Sequence, residues 1–364
     1  MIQFMISNHY LKPKKIIILL NIFIFTTISL IISSCNIKSE DAFDKAFKYY
    51  ENKLYEEAIA KFRIAIDQNI EPTRSYYYIG KSYDKLDQPR KAIQYFNFSI
   101  DSDPRFYENY IARGNIKVHL KKYKDAMSDF NKAIELILEN KEIIDSLNLS
   151  SAYNNKGLIK RNFYKNFDAS IEDFNRASEF RPNYFLPIYN RGRAKSEKGD
   201  YEGSIKDYSK AILFDPNNAK IYYERGRSKR RLKDFEGAIN DFTKAIKFDS
   251  KQSVFYNDRG LIFAKLGKFN EAISDYDKAI ASNKSAYSYN NRGFAKYKIG
   301  KYEEALLDCN ISLKLDSTNS WVYYSLGLIA FEGGKQAEAC DHLLKSKSMG
   351  MKEAEIEYDK KCKN

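Results

Sequence analysis

The sequence predicts an all-α solenoid, a tandem array of about nine helix hairpins closed by a C-terminal capping helix. Three observations carry this. Eight glycines, from Gly80 through Gly114, Gly157, Gly192, Gly226, Gly260 and Gly293 to Gly327, recur at steps of 34, 43, 35, 34, 34, 33 and 34 residues. A fixed period of this length marks stacked supersecondary units. Each period holds two helix-like stretches. In residues 219–252 the second carries Ala238, Ile239, Phe242, Ala245 and Ile246, the i, i+1, i+4, i+7, i+8 stripe of an amphipathic helix. Punctuation separates them: Gly199, Gly267, Gly300 and Gly334 stand where a left-handed turn would join the two helices, and Pro104, Pro182 and Pro216 fall where second helices end.

The chain begins with an address. "KPKKIIILLNIFIFTTISLIISSC" is basic, then apolar from Ile16 to Ile32, then small at Ser33 and Ser34, the layout of a secretory signal. Its Ile-Ser-Ser-Cys ending resembles the lipobox of bacterial lipoproteins. That resemblance implies removal of residues 1–34 and acylation of Cys35, with 35–38 as a short tether. An uncleaved signal anchor is the alternative. Both place residues 36–364 outside the cytoplasm, on a membrane of the cell envelope. Asn36 stands where an Asp would resemble an inner-membrane retention signal, which leans toward the outer membrane.

From residue 39 to 350 the units follow one another. They start near Ser39, Thr73, Tyr107, Ser150, Phe185, Ala219, Ser253, Ala286 and Ser320. The first has Ala46 in place of the glycine. The step of 43 marks an insertion near 137–150, and the fourth unit has one extra residue in its turn. Gly226, Ala238 and Ala245 remove bulk where antiparallel helices cross. Residues 351–364 form the capping helix. "YNRGRAKSEKGDYEGSIKDYSKAILFDPNN" (189–218) resembles the tetratricopeptide repeat, with Tyr, Gly, Ala or Ser, aromatic, Ala and Pro at fixed offsets. The resemblance covers nearly all of the chain after the signal. It implies a right-handed superhelix with first helices on the concave side and a protein or peptide partner. Stacked units would share one continuous core.

An Arg-Gly pair appears in five units. Each arginine has an aspartate 16 residues later: Arg113 with Asp129, Arg191 with Asp207, Arg225 with Asp241, Arg259 with Asp275, Arg292 with Asp308. The fourth unit has Lys156 and Asp173, 17 apart. Units without the base lack the acid, since Ile79 faces Tyr95 and Leu326 faces His342. Arginine and aspartate lie at one height in the hairpin, on its packed face. The expectation is an ion pair inside each hairpin, not a nucleic-acid handle.

Catalytic and metal motifs are lacking in the sequence. "IGKS" (79–82) has Ser75 where a phosphate-binding loop needs glycine. No CxxC, HExxH, GxSxG or GxGxxG occurs. No cofactor, metal or small-molecule substrate is expected, and the protein is not expected to be an enzyme. Cys309 replaces an aromatic on a second helix and reads as a buried small hydrophobe. Cys340 and Cys362 lie on two helices that an antiparallel turn at 349–351 would bring together. An exported compartment permits a disulfide there, against two free thiols.

The resemblance also places exposed groove residues three before and one, four and five after each glycine. These are Tyr77, Lys81 and Lys85 in the second unit, Arg161 in the fourth, Tyr189 and Arg193 in the fifth, and Tyr223, Arg227, Arg230 and Arg231 in the sixth. Phe294, Tyr297, Tyr324, Leu328 and Phe331 form an apolar end. The formal net charge is +13, which favours acidic partners. The expected function is a non-catalytic, membrane-tethered scaffold that binds an acidic or extended peptide in a basic, aromatic groove. Nucleic-acid binding by a basic helical repeat is the alternative, and export argues against it. The Lys and Asn that chaperone-binding members use to clamp a peptide's carboxylates are not combined in any unit.

Overall fold

The computed structural model describes residues 42–139 and 144–363, and among them every regular element is a helix. The signal segment 1–34, the tether 35–38 and Cys35 lie outside the described residues. In order the helices are α1 (42–51), α2 (Tyr55–Asp67), α3 (Pro72–Lys85), α4 (Pro89–Ser102), α5 (Glu108–His119), α6 (Tyr123–Glu139), α7 (Ser146–Asn162), α8 (Phe167–Phe180), α9 (Phe185–Lys198), α10 (Tyr201–Phe214), α11 (Ala219–Arg231), α12 (Phe235–Phe248), α13 (Ser253–Lys265), α14 (Phe269–Ser282), α15 (Ala286–Lys298), α16 (Tyr302–Leu315), α17 (Ser320–Glu332), α18 (Gln336–Ser348) and α19 (Lys352–Lys361). No helix among the described residues is long and apolar enough to cross a membrane.

The array expected as one body divides into two compact units, residues 1–159 and 160–364, with the boundary inside α7. Of the insertion near 137–150, residues 137–139 and 146–150 are helical: α6 and α7 each run 17 residues where the first helices on either side run 12 and 14.

Within each unit, the periodic glycine lets two helices close on each other. A Cβ built on Gly80 would lie 2.8 Å from the Phe96 ring, and one on Gly226 2.8 Å from the Phe242 ring. The aromatic 16 residues on thus occupies the space glycine leaves. The core is built from small clusters, and in the second unit neighbouring clusters meet at shared, partly buried residues, Ile212 and Tyr223. One gathers Phe43, Phe62, Ile79 and Phe96; another gathers Ile188, Tyr208 and Ile221; a third gathers Ala238, Phe242 and Ile262. Such small nuclei suit repeats that bury their faces on near neighbours alone.

The turns inside hairpins need a left-handed residue. Gly199 supplies it at φ 97° and Gly300 at φ 80°, whereas Lys121 and Lys233 take the same conformation at φ 59° and 64° despite their Cβ atoms. The second helix then starts on a side-chain cap where one is available: the Asp234 carboxylate accepts from Gly237 N at 2.9 Å. At the C-terminus α19 packs on α18. A cluster of Leu343, Met351 and Ala354 lies between them, and a disulfide joins Cys340 to Cys362, with Cα atoms 5.8 Å apart.

Candidate ligand-binding site

The arginines before the periodic glycines are occupied by the fold. Arg225 donates from Nε to Asp241 Oδ2 at 2.9 Å and from Nη2 to Oδ1 at 2.7 Å. Arg113 and Asp129, Arg191 and Asp207, Arg259 and Asp275, and Arg292 and Asp308 repeat this two-pronged geometry. A planar guanidinium matches a carboxylate in this way, and the charge on both partners strengthens each bond.

Two features of the clip escape a pairwise reading. The remaining nitrogen, Nη1, reaches back to the preceding second helix: Arg113 to Asn97, Arg191 to Asn175, Arg225 to Ser209, Arg259 to Thr243 and Arg292 to Asp277. Each clip therefore joins two hairpins as well as closing one. A lysine one turn after the arginine also meets the same aspartate. Lys117 lies 2.7 Å from Asp129, Lys195 2.8 Å from Asp207, Lys229 2.8 Å from Asp241 and Lys296 3.0 Å from Asp308. The signal was present as Lys four residues after Arg in these units. Phe263 breaks it in the Arg259 unit. Asp173, expected opposite Lys156, lies 2.7 Å from Lys160 Nζ.

Several residues expected on an open groove are placed otherwise. Tyr77 is half-buried, its ring against Phe96 and Phe106, with the Lys81 ammonium 5.6 Å above it. Lys85 is exposed. Leu328 is buried, and Tyr324 and Phe331 pack on the Leu343–Met351–Ala354 cluster. The capping helix takes the place of a further first helix and covers them, and Lys361 Nζ sits 4.7 Å over the Phe331 ring. Phe294 and Tyr297 are half-buried, their rings tilted at 38° with centroids 6.2 Å apart. Burial and Glu332 push the Tyr297 hydroxyl pKa up to about 12. Arg230 is not free: it lies 3.2 Å from Asp258, which also accepts from the Tyr223 hydroxyl at 2.8 Å.

The largest departure is Arg161. It is 3% exposed, not a surface cation. Nε and Nη2 both donate to Asn162 Oδ1, at 3.0 and 2.9 Å, and Nη1 is buried with no partner among the described residues. Burial, and then the nearby Arg193 cation, hold its pKa below the ordinary guanidinium range.

Two cavities adjoin on the first-helix face of the second unit. The first, of about 300 Å³, is bounded by Arg193 and Glu197 from α9, Tyr208 from α10, and Glu224, Arg227 and Arg231 from α11. Glu197 Oε1 lies 3.9 Å from both Arg161 Nε and Arg193 Nη2. The Tyr208 hydroxyl is buried without a partner among the described residues, and burial, with Glu224 beside it, raises its pKa, so it remains a protonated donor. The second cavity, of about 510 Å³, shares Arg193 and Glu224 with the first. It is walled by Phe185, Leu186, Tyr189, Tyr223, Val254 and Phe255. A charged chamber thus opens beside an apolar, aromatic one.

Serial antiparallel hairpins crossing at small residues define an α-helical repeat protein. Tetratricopeptide repeats are found in it: the tetratricopeptide repeat model matches residues 73–106, 107–140, 219–252 and 254–285, and a second TPR repeat model matches 192–229. UDP-N-acetylglucosamine–peptide N-acetylglucosaminyltransferase of Giardia intestinalis is similar, at 29% identity over 103 residues, 27% of this chain and 7% of that enzyme. Hsp70-Hsp90 organizing protein 2 of Arabidopsis thaliana is 26% identical over 112 residues, 31% of this chain and 19% of that protein. The chain therefore spans under a fifth of either relative's length. The solved structure of a tetratricopeptide repeat protein from Parabacteroides merdae is similar in fold, with a TM-score of 0.52 and 20% identity, covering 69% of this chain and 96% of that one.

Proposed function

We propose that this protein is a non-catalytic interaction scaffold that takes an extended peptide segment along α9, α11 and α13. The observation that carries this is the pair of adjoining cavities, one basic and one apolar. Their shared wall of Arg193 and Glu224 lets one ligand enter both. Extended peptides are recognised through such alternating pockets, with main-chain reach between them. The name of the Arabidopsis relative, an organizing protein for two others, agrees with a scaffold role. The glycosyltransferase match lies within 7% of that enzyme and brings no activity with it. A tether through acylated Cys35 would hold the scaffold on a membrane facing out of the cytoplasm, and two or more acyl chains suffice for stable anchoring.

The test is fluorescence polarisation with degenerate acidic and neutral extended peptides, comparing wild type with an Arg193→Glu/Arg227→Glu variant. Tighter binding of the acidic set, lost in the variant while the melting temperature holds, supports the proposal. Equal binding by both proteins rejects the groove. Incorporation of labelled palmitate into wild type but not Cys35→Ala tests the tether separately.

A further inference from the structure

The first cavity is more specialised than an acidic-peptide groove requires. Among the described residues two donors at or next to it are buried without a partner, the Tyr208 hydroxyl in its wall and Arg161 Nη1 behind Glu197. Buried polar groups in folded proteins are almost always satisfied, so each exception calls for an explanation. The Tyr208 hydroxyl is not needed to pack against Gly192. Tyr208 fills the space above Gly192, and in the next unit a phenylalanine, Phe242, does the same for Gly226. The phenyl ring meets the structural demand, and the hydroxyl is surplus to it. Arg161 has no carboxylate within a close ion pair, since Glu197 stands 3.9 Å away and divides its charge with Arg193. Burying a charge without a close partner costs stability. The fold keeps it nonetheless.

The charge count points the same way. Arg193, Arg227 and Arg231 line the cavity with Glu197 and Glu224, and Arg161 stands behind Glu197 at 3.9 Å, so four cations face two anions in and around the cavity, a formal excess of two. One carboxylate would neutralise half of that excess and offer two oxygens. A phosphoryl group carries up to two charges at neutral pH and three terminal oxygens, and guanidinium forks are the usual partners of such groups.

We propose that the α9–α11 cavity is a phosphoryl-binding pocket, which takes the phosphate of a phosphorylated side chain on the peptide lying in the groove. Arg193, Arg227 and Arg231 line the pocket, Arg227 beside Glu224 and Arg193 near Glu197, and Tyr208 supplies an unspent donor of its buried side, with the Arg161 charge behind Glu197. The neighbouring apolar cavity receives the residues flanking the phosphate. This rests on the peptide-groove reading above, and the experiment separates the two.

Full-length protein is titrated with inorganic phosphate at constant ionic strength against chloride, and with a degenerate extended peptide library whose central residue is fixed as phosphoserine, serine or glutamate. Phosphate should raise the melting temperature relative to chloride, and the phosphoserine library should bind at least about tenfold tighter than the glutamate one. Tyr208→Phe should weaken phosphoserine binding about tenfold, the effect of losing one hydrogen bond to a charged group. Arg161→Met, which removes the charge behind Glu197, should reduce the phosphate-dependent shift without lowering the melting temperature in chloride. Glutamate peptides bound as tightly as phosphoserine ones, or a Tyr208→Phe protein indistinguishable from wild type, would overturn the pocket. Unphosphorylated peptides held equally by wild type and Tyr208→Phe would overturn it too while leaving the groove intact. Binding of inorganic phosphate or of phosphatidic acid vesicles, with no phosphoserine peptide held more tightly than phosphate alone, would overturn the peptide source and the groove together.

Discussion

Arg225 grips both oxygens of Asp241 and at the same time donates through Nη1 to Ser209 Oγ, at 2.9 Å, on the second helix of the preceding hairpin. One guanidinium therefore sets the register of its own hairpin and the stacking of that hairpin on the one before. Asp241 is almost wholly buried, and Arg225 and Lys229 share it.

Removing the acid should thus cost more than removing the base. Asp241→Leu strands two cations, and Arg225→Leu leaves the carboxylate with Lys229. Breaking a buried pair costs about 3–5 kcal/mol, so urea melts should place Asp241→Leu near the top of that range and Arg225→Leu near its foot. Asp275 lacks the lysine, because Phe263 occupies that site, and Asp275→Leu should cost less than Asp241→Leu. The double variant Arg225→Leu/Asp241→Leu should lose less than the sum of its singles. Strict additivity would dismiss the coupling.

Backbone conformation makes two glycine predictions of opposite sign. Lys233 sits at φ 64° in a turn where Gly199 serves a neighbouring hairpin, so Lys233→Gly should stabilise the protein by about 1 kcal/mol, the strain of a side chain in the left-handed region. Gly226→Ala places a Cβ 2.8 Å from Phe242 and should destabilise it by about 1–3 kcal/mol through overpacking. Thermal melts of the two variants should move in opposite directions.

The disulfide between Cys340 and Cys362 closes a loop with a sequence separation of 22 residues. Constraining a loop of that size is worth about 3 kcal/mol in the chain-entropy estimate. Reduction should release α19 first and bare the Tyr324–Phe331 surface beneath it. Hydrogen exchange at residues 352–361 should rise sharply in reductant, with little change at α9–α12. Uniform acceleration along the chain would contradict a local capping role.

Cys309 is fully buried on α16, and burial raises its thiol pKa to about 12. The unfolded thiol ionises near pH 9 while the folded one does not, so above that pH the unfolded state binds fewer protons and stability falls as pH rises. Between about pH 9 and 12 the loss from this group approaches 1.4 kcal/mol per pH unit. Urea melts at pH 8, 9 and 10 should show a shallower decline in Cys309→Ala than in wild type. Native Cys309 should resist iodoacetamide at pH 8, because the reactive thiolate is scarcely present.

The repeat was legible because its physics is local. Helix crossings demand a small residue at a fixed phase, and Gly192 and Gly226 declare it. The 16-residue step from Arg225 to Asp241 reads out the hairpin's register directly. What could not be read depends on neighbours distant in sequence. Tyr324 and Phe331 occupy groove positions by phase, but α19 lies over them, and phase cannot see a cap. Arg161 follows the glycine by the same offset as Arg230, yet one is buried beside Asn162 and the other is held by Asp258. The lysine arm of the clip is written in the spacing of Lys229, four residues after Arg225, but spacing alone does not say that one acid takes two bases. The orphaned hydroxyl of Tyr208 has no sequence signal beyond tyrosine standing where Phe242 stands one unit later.

The shared aspartates change what the basic isoelectric point of 9.2 means. Asp129, Asp207 and Asp241 each hold an arginine and a lysine, so each of these three clips retains one positive charge within the packed hairpin, whereas the Arg292 and Lys296 that meet Asp308 are also met by Asp277 and Glu304. Three of the thirteen formal charges are thus fixed to the framework, directed at carboxylates and away from visitors. On an ion exchanger or a polyanion, the chain should behave as a weaker cation than its composition suggests. The local field is set instead by the arrangement of a few arginines around one chamber.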